Sequence, residues 1–211
     1  MTNVLRQTYA ELLNKFTDNQ YLIDEFWTEI ELNYSKPNRY YHTLEHLSNL
    51  LAQLIEVQEG LKNWDTILFT LFYHDAIYNS SQSDNEEKSA SLAEKRMLEL
   101  SVPLNIIEKC KAQILATKSH TKSLDSDTNY FTDVDLSVLG LEWEIYYQYY
   151  NNIRKEYSIF PDSIYNSGRQ KVLTHFLEMD RIYKTDFFHS KFEKQARQNL
   201  FKEKELLKVS G

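Results

Sequence analysis

The sequence predicts an all-α fold, and three observations carry that reading. Only four glycines and three prolines punctuate 211 residues, whereas sandwiches, barrels and βαβ folds spend many more on turns. Apolar residues recur three and four apart along most of the chain, the spacing of one helix face. The pattern breaks where Pro37, Gly60, Pro103, Gly140 and Pro161 stand, residues that stop or start helices.

Taken in order, Val4, Tyr9, Leu12, Leu13 and Phe16 predict a helix from about Asn3 to Lys15, and Leu22, Ile23, Phe26, Trp27 and Ile30 a second from Tyr21 to Leu32. The segment Asn33 to Tyr41 interrupts the pattern. Leu44, Leu47, Leu50, Leu51, Leu54 and Ile55 then mark a third helix that stops at Gly60, and a strongly apolar fourth runs from about Trp64 to Tyr78. Asn79 to Ser83 reads as a loop, with Asp84 and Glu87 spaced as a capping box for the helix carrying Ala90, Leu92, Ala93, Met97 and Leu98. Pro103 opens the next helix, to about Ala116. Lys118 to Asn129 is polar and loop-like, followed by a short element over Val134 to Leu139 that stops at Gly140. A long helix over Glu142 to Tyr157 and one from Pro161 to about Arg181 come next. The last, from Phe187 to Leu207, mixes acids and bases and is expected to clamp the bundle from outside. No linker or repeat interrupts this series. One domain over 1–211 is expected, with a motif-bearing core at about 39–157 and C-terminal helices at about 161–209 packed on it.

Composition narrows the function classes. Asp and Glu exceed Lys and Arg by 31 to 24, a net charge of −7, which argues against coating a nucleic-acid polymer by bulk charge. The longest apolar stretch, Ile67 to Tyr73, is far too short to cross a bilayer. The single cysteine, Cys110, follows Ile106 and Ile107 and reads as a buried, inert thiol. With an N-terminus that has no signal-peptide core, this points to a reducing, cytoplasmic setting. A small anionic substrate held locally remains compatible with the charge, as does a homo-oligomer.

Chemistry concentrates in a few residues. His42 and His46 stand four apart, a spacing that addresses one point on a helix and equally suits a surface or a cap. His74 is followed by Asp75 at the end of the run Ile67, Leu68, Phe69, Leu71, Phe72, Tyr73. A carboxylate at the edge of an apolar core is costly, and a cation would remove the cost. Asp133 and Asp135 lie two apart, point in different directions on a helix and cannot both bind one ion. Either Asp133 is an N-cap, or Thr132 is the cap and Asp135 closes its box.

The order His46, His74 with Asp75, then Asp135 resembles the HD superfamily of metal-dependent phosphohydrolases, an all-α family in which those positions bind a divalent metal. RYYHTLEHLSNLL, FYHDAIY, NEEKSA, ATKSH, DVDLSVLG and IRKEY, in that order between Arg39 and Tyr157, are similar to a branch of predicted stand-alone HD phosphohydrolases. The resemblance implies His46, His74, Asp75 and Asp135 as metal ligands, and so favours Asp135 over Asp133. The string at Tyr41 to His46 also resembles the opening motif of cyclic-nucleotide phosphodiesterases, whose first histidine donates a proton to the leaving group. That likeness makes His42 a candidate general acid beside Asp75 in the catalytic set, although Thr43 stands where those enzymes have Asn. Tyr78 occupies the place of an acid found in some HD nucleotidases, so their specificity is not carried over.

Two imidazoles and two carboxylates suit Mn, Fe, Co, Ni, Zn or, less well, Mg. The expected reaction is attack on phosphorus by water that such an ion activates, on a small phosphorylated molecule, with a nucleotide as the leading class. Glu86, Glu87 and His120 are candidates for a second ion or for ordering water. Arg39, Lys118 and Arg154 are candidates for the substrate phosphate, each with a structural alternative; for Arg154 that is a pairing with Glu156. The tyrosines at 146, 147, 149, 150 and 157 read as core and rim, and His175 and His189 as ordinary. The competing readings are a non-catalytic HD-type module that binds a nucleotide or metal, and a helical interaction protein whose histidines bind nothing.

Overall fold

Ten α-helices and two short 3-10 turns account for the regular structure of the computed structural model over the described residues, 2 to 209, and no strand occurs among them. The all-α expectation holds. No helix of the described residues is long and apolar enough to cross a membrane. The chain forms two compact units, one up to Thr132 and one from Asp133 onward.

The first unit contains α1 (Thr2–Leu13), α2 (Gln20–Tyr34), α3 (Leu44–Glu56), a 3-10 turn (Gln58–Gly60), α4 (Trp64–Tyr73), α5 (Asn85–Glu99) and α6 (Leu104–Ala116). Its centre is α4, in which every residue from Thr66 to Tyr73 is buried. A helix that is apolar all round can only be a core helix, and α1, α3, α5 and α6 all pack on it. Each fully buried large apolar side chain contributes about 1.5–3 kcal/mol. The polar atoms that this burial traps are answered: the Tyr9 and Tyr73 hydroxyls bond each other at 2.8 Å, and the Thr70 hydroxyl lies 2.6 Å from the Gln113 side-chain amide. Cys110 is buried beside Thr70, and desolvation pushes its thiol up to about 12, so it is the inert thiol its sequence context suggests.

The start of α4 is pinned twice. Asn63 caps it by accepting from the Thr66 N–H at 2.9 Å. Asp127, itself buried, accepts from the Lys62 and Asn63 N–H groups. Asp127 belongs to α7 (Ser126–Asp135), and here the sequence reading needs correction. The polar stretch read as a loop to Asn129 already holds the first turn of this helix. Asp133 and Asp135 sit inside it, so neither Asp133 nor Thr132 is an N-cap. The 3-10 turn Ser137–Gly140 follows. A second correction concerns Asp84, whose side chain makes no cap bond to α5; Glu87 pairs instead with Lys118. A third is that α4 ends at Tyr73 and not Tyr78.

The second unit holds the 3-10 turn at 137–140, α8 (Trp143–Glu156), α9 (Asp162–Glu178) and α10 (Asp186–Val209). Phe188, Phe192, Ala196, Leu200 and Glu203 of α10 are buried, so this helix forms part of its unit's core. Asp133 is fully buried and accepts from the Lys184 and Thr185 N–H groups at 2.8 and 2.7 Å. Burial pushes its carboxyl up and the neighbouring Lys184 ammonium down. Arg169 pairs with buried Glu203 at 2.7 Å, and the Tyr146 hydroxyl donates to the same carboxylate, which places Tyr146 in the core.

Gly140 is required by close approach. A Cβ there would lie 2.3 Å from Cβ of Phe192 and 2.9 Å from its Cα, atoms that move only with the backbone of α10. Gly140→Ala is therefore expected to destabilise the protein by about 1–3 kcal/mol, the usual cost of overpacking, read as a lower urea midpoint at unchanged slope.

Candidate metal centre

The site is built where α4 stops. His74 follows the last helical residue with helix-like φ and ψ of −55° and −39°, and its ring turns back so that Nδ1 lies 3.0 Å from the Leu71 carbonyl oxygen. A carbonyl can only accept, so Nδ1 carries the proton and, in the neutral ring, Nε2 presents a lone pair. That lone pair faces His46 Nε2 at 3.3 Å and the Asp75 Oδ2 at 3.2 Å. Both histidines are buried, at 3 % and 1 % exposure.

His46 comes from the first turn of α3, and His42 lies just before the Thr43 N-cap, outside the helix. The chain nevertheless brings them together, with ring centroids 5.9 Å apart. Tyr41 packs against both rings, His42 stacks on Tyr78 at 4.2 Å, and Phe131 lies edge-on to His74. His42 Nε2 is 3.7 Å from the Asp75 carboxylate. Among the described residues, His46, His74 and Asp75 form the one grouping of three metal-ligand side chains, each offering an atom within 4.8 Å of the others.

The donor set fits a divalent ion. Three electron-rich atoms converge, one histidine is held in the metal-ligating tautomer by a backbone carbonyl, and two imidazoles with a carboxylate match borderline metals. Without a cation, a proton would have to sit between Nε2 and its two acceptors.

Asp135, half-buried, closes α7 in the second unit, near enough to Tyr149 and Lys184 to favour their protonated forms. Glu86 and Glu87 face Lys118, whose ammonium also donates to the Ser83 carbonyl at 2.7 Å. These three form an ion cluster tying the start of α5 to the end of α6. His120 follows α6 in the left-handed region at φ 52° and donates its N–H to the Ala116 carbonyl. Arg154 binds Asp162 and the Tyr157 and Phe160 carbonyls, not Glu156. Arg39 donates to the carbonyls of His42, Asp75 and Ala76.

The segment after His74 has no helical ladder, yet its backbone groups are paired. The Asp75 N–H donates to the Tyr34 hydroxyl at 3.2 Å. One hydroxyl, that of Ser89, both accepts from the Ile77 N–H and donates to the Ile77 carbonyl. Asn85 does the same for Asn79 with its side-chain amide. Sequence reading missed Tyr34, Asn85 and Ser89. The one signal was that Asn85 and Ser89 are four apart on a helix and share a face. Ser89→Ala removes the partner of both backbone groups of half-buried Ile77 and is expected to cost about 1–3 kcal/mol, measured by denaturant unfolding.

Comparison with protein-family models, with curated proteins and with solved structures finds no match to this chain.

Proposed function

We propose that the chain is a metal-dependent phosphohydrolase acting on a small phosphorylated molecule, with nucleotides the first class to screen. The observation that carries the proposal is the convergence of His46 Nε2, His74 Nε2 and Asp75 Oδ2 with the His74 Nδ1 proton committed to Leu71. The reaction class comes from the resemblance of the ordered motifs to HD phosphohydrolases, which also assigns Asp135 as a ligand. A divalent ion bound by these residues supplies Lewis acidity and a water acidic enough to serve as nucleophile near neutral pH.

The chain's own part follows from its geometry. His46 and His74 offer neutral imidazoles, and Asp75 offers the charge that matches a cation. His42 is the proposed proton carrier: its ring is more exposed than those of His46 and His74, packs on Tyr78 and lies 3.7 Å from the Asp75 carboxylate. A protonated histidine can protonate a departing alkoxide.

Elemental analysis of the purified protein beside Asp75→Ala tests the metal site without a substrate. Near one equivalent of a divalent transition ion in the wild type, lost in the variant, is expected; Asp135→Ala reads the fourth position in the same assay. No metal in the wild type, even after loading with Mn, Ni or Zn, would sink the enzyme reading in favour of a binding module or interaction protein.

His42 has its own signature. His42→Ala should keep its metal and lose about 10²–10⁴-fold in turnover of alkyl phosphates. A nitrophenyl ester, whose leaving group needs no proton, should lose far less. Equal losses on both substrates would exclude His42 as the general acid.

A further inference from the structure

We infer that Arg39 is a positioning residue of the metal centre, acting through the backbone of His42, Asp75 and Ala76 and not on the substrate phosphate. The inference rests on the metal-site reading above.

Arg39 is only 5 % exposed, and its guanidinium lies over the Tyr34 ring at 4.8 Å and the Tyr78 ring at 5.5 Å. Nη1 donates to the His42 carbonyl at 3.1 Å and the Asp75 carbonyl at 2.8 Å, and Nη2 to the Ala76 carbonyl at 3.0 Å. Nε is buried without a partner, and none of the donors meets a carboxylate among the described residues. A buried cation is normally matched by an acid; this one is held by three carbonyl dipoles and two ring faces.

What those carbonyls have in common is their position. One belongs to the candidate general acid, one to the ligand Asp75, and the third to the residue after it. His42 and Asp75 are 33 residues apart in sequence, and a single planar fork joins the two stretches. Its rigidity sets the backbone spacing of His42 to Asp75, and thereby the 3.7 Å between their side chains. Tyr34 contributes to the same arrangement, since it carries one face of the guanidinium and accepts from the Asp75 N–H.

Lysine keeps the charge but not the fork, and glutamine loses both, so the pair separates geometry from charge. The test compares wild type, Arg39→Lys and Arg39→Gln for affinity toward Co(II) or Zn(II), by competition with a chromophoric chelator, and for the helical circular dichroism of the metal-free proteins. Outer-shell partners typically carry about 10–100-fold in metal affinity. Both variants are expected to stay helical and to bind the ion about 10–100-fold more weakly, with an altered visible spectrum of the Co(II) form. Helical variants with wild-type affinity and spectrum overturn the inference and leave the metal site standing. Variants whose helical signal collapses assign Arg39 to the fold and overturn it as well. A wild type that takes up neither ion overturns the metal reading and the inference together.

Discussion

The hydrogen bond from His74 Nδ1 to the Leu71 carbonyl is the constraint on which the candidate site depends. The helix carrying it, α4, is buried along nearly its whole length, and a helix must leave its last carbonyls unsatisfied. In the core, each such carbonyl needs a donor. Here a side chain one residue past the helix supplies it. The same bond that closes the helix fixes the ring's tautomer and aims Nε2 at His46. Helix termination and orientation of the imidazole are thus one event.

The rest of the turn follows from having left the helical ladder inside a core. The Ala76 N–H still reaches the Tyr73 carbonyl of α4, but the Asp75 N–H, the Asp75 and Ala76 carbonyls, and the backbone groups of Ile77 and Asn79 find partners outside that helix. They come from Tyr34 at the end of α2, from Arg39 in the following loop, and from Asn85 and Ser89 on α5. Three separate stretches of chain thereby converge on the five residues from Asp75 to Asn79. Such a segment has little freedom to relax around a ligand, which favours a site formed before binding over one assembled by it.

Much of this was legible in sequence and some was not. Helical periodicity and the scarcity of Gly and Pro lead to the all-α fold, and the burial of α4 is written in its unbroken apolar run. The end of α4 was misplaced because Ala76, Ile77 and Tyr78 continue the apolar pattern. What ends the helix is the capture of carbonyls by an imidazole and a guanidinium, which periodicity does not encode. The first turn of α7 was read as loop for the opposite reason. Ser126 to Asn129 has no apolar face, and its order comes from Asp127 binding the start of α4 and Asp125 binding Thr128. The proximity of His46, His74 and Asp75 agrees with the sequence reading. The roles of Tyr34, Asn85 and Ser89 were hidden, because hydrogen bonding to a distant backbone leaves no pattern in sequence.

Exposure within the site gives it a direction. His46 and His74 are sealed, while the side chains of His42 and Asp75 each keep 17 % of their surface open. The closed side is therefore imidazole and the open side is acid and base. A ligand reaching the cluster from solvent meets Asp75 and His42 first, with the Tyr78 ring behind His42. An anion at that edge is repelled by Asp75 unless a cation offsets its charge. The proposed metal ion would be that cation, held by the converging lone pairs beneath. On that reading one positive charge answers both ends of the cluster and joins buried His46 and His74 to the more open Asp75 and His42.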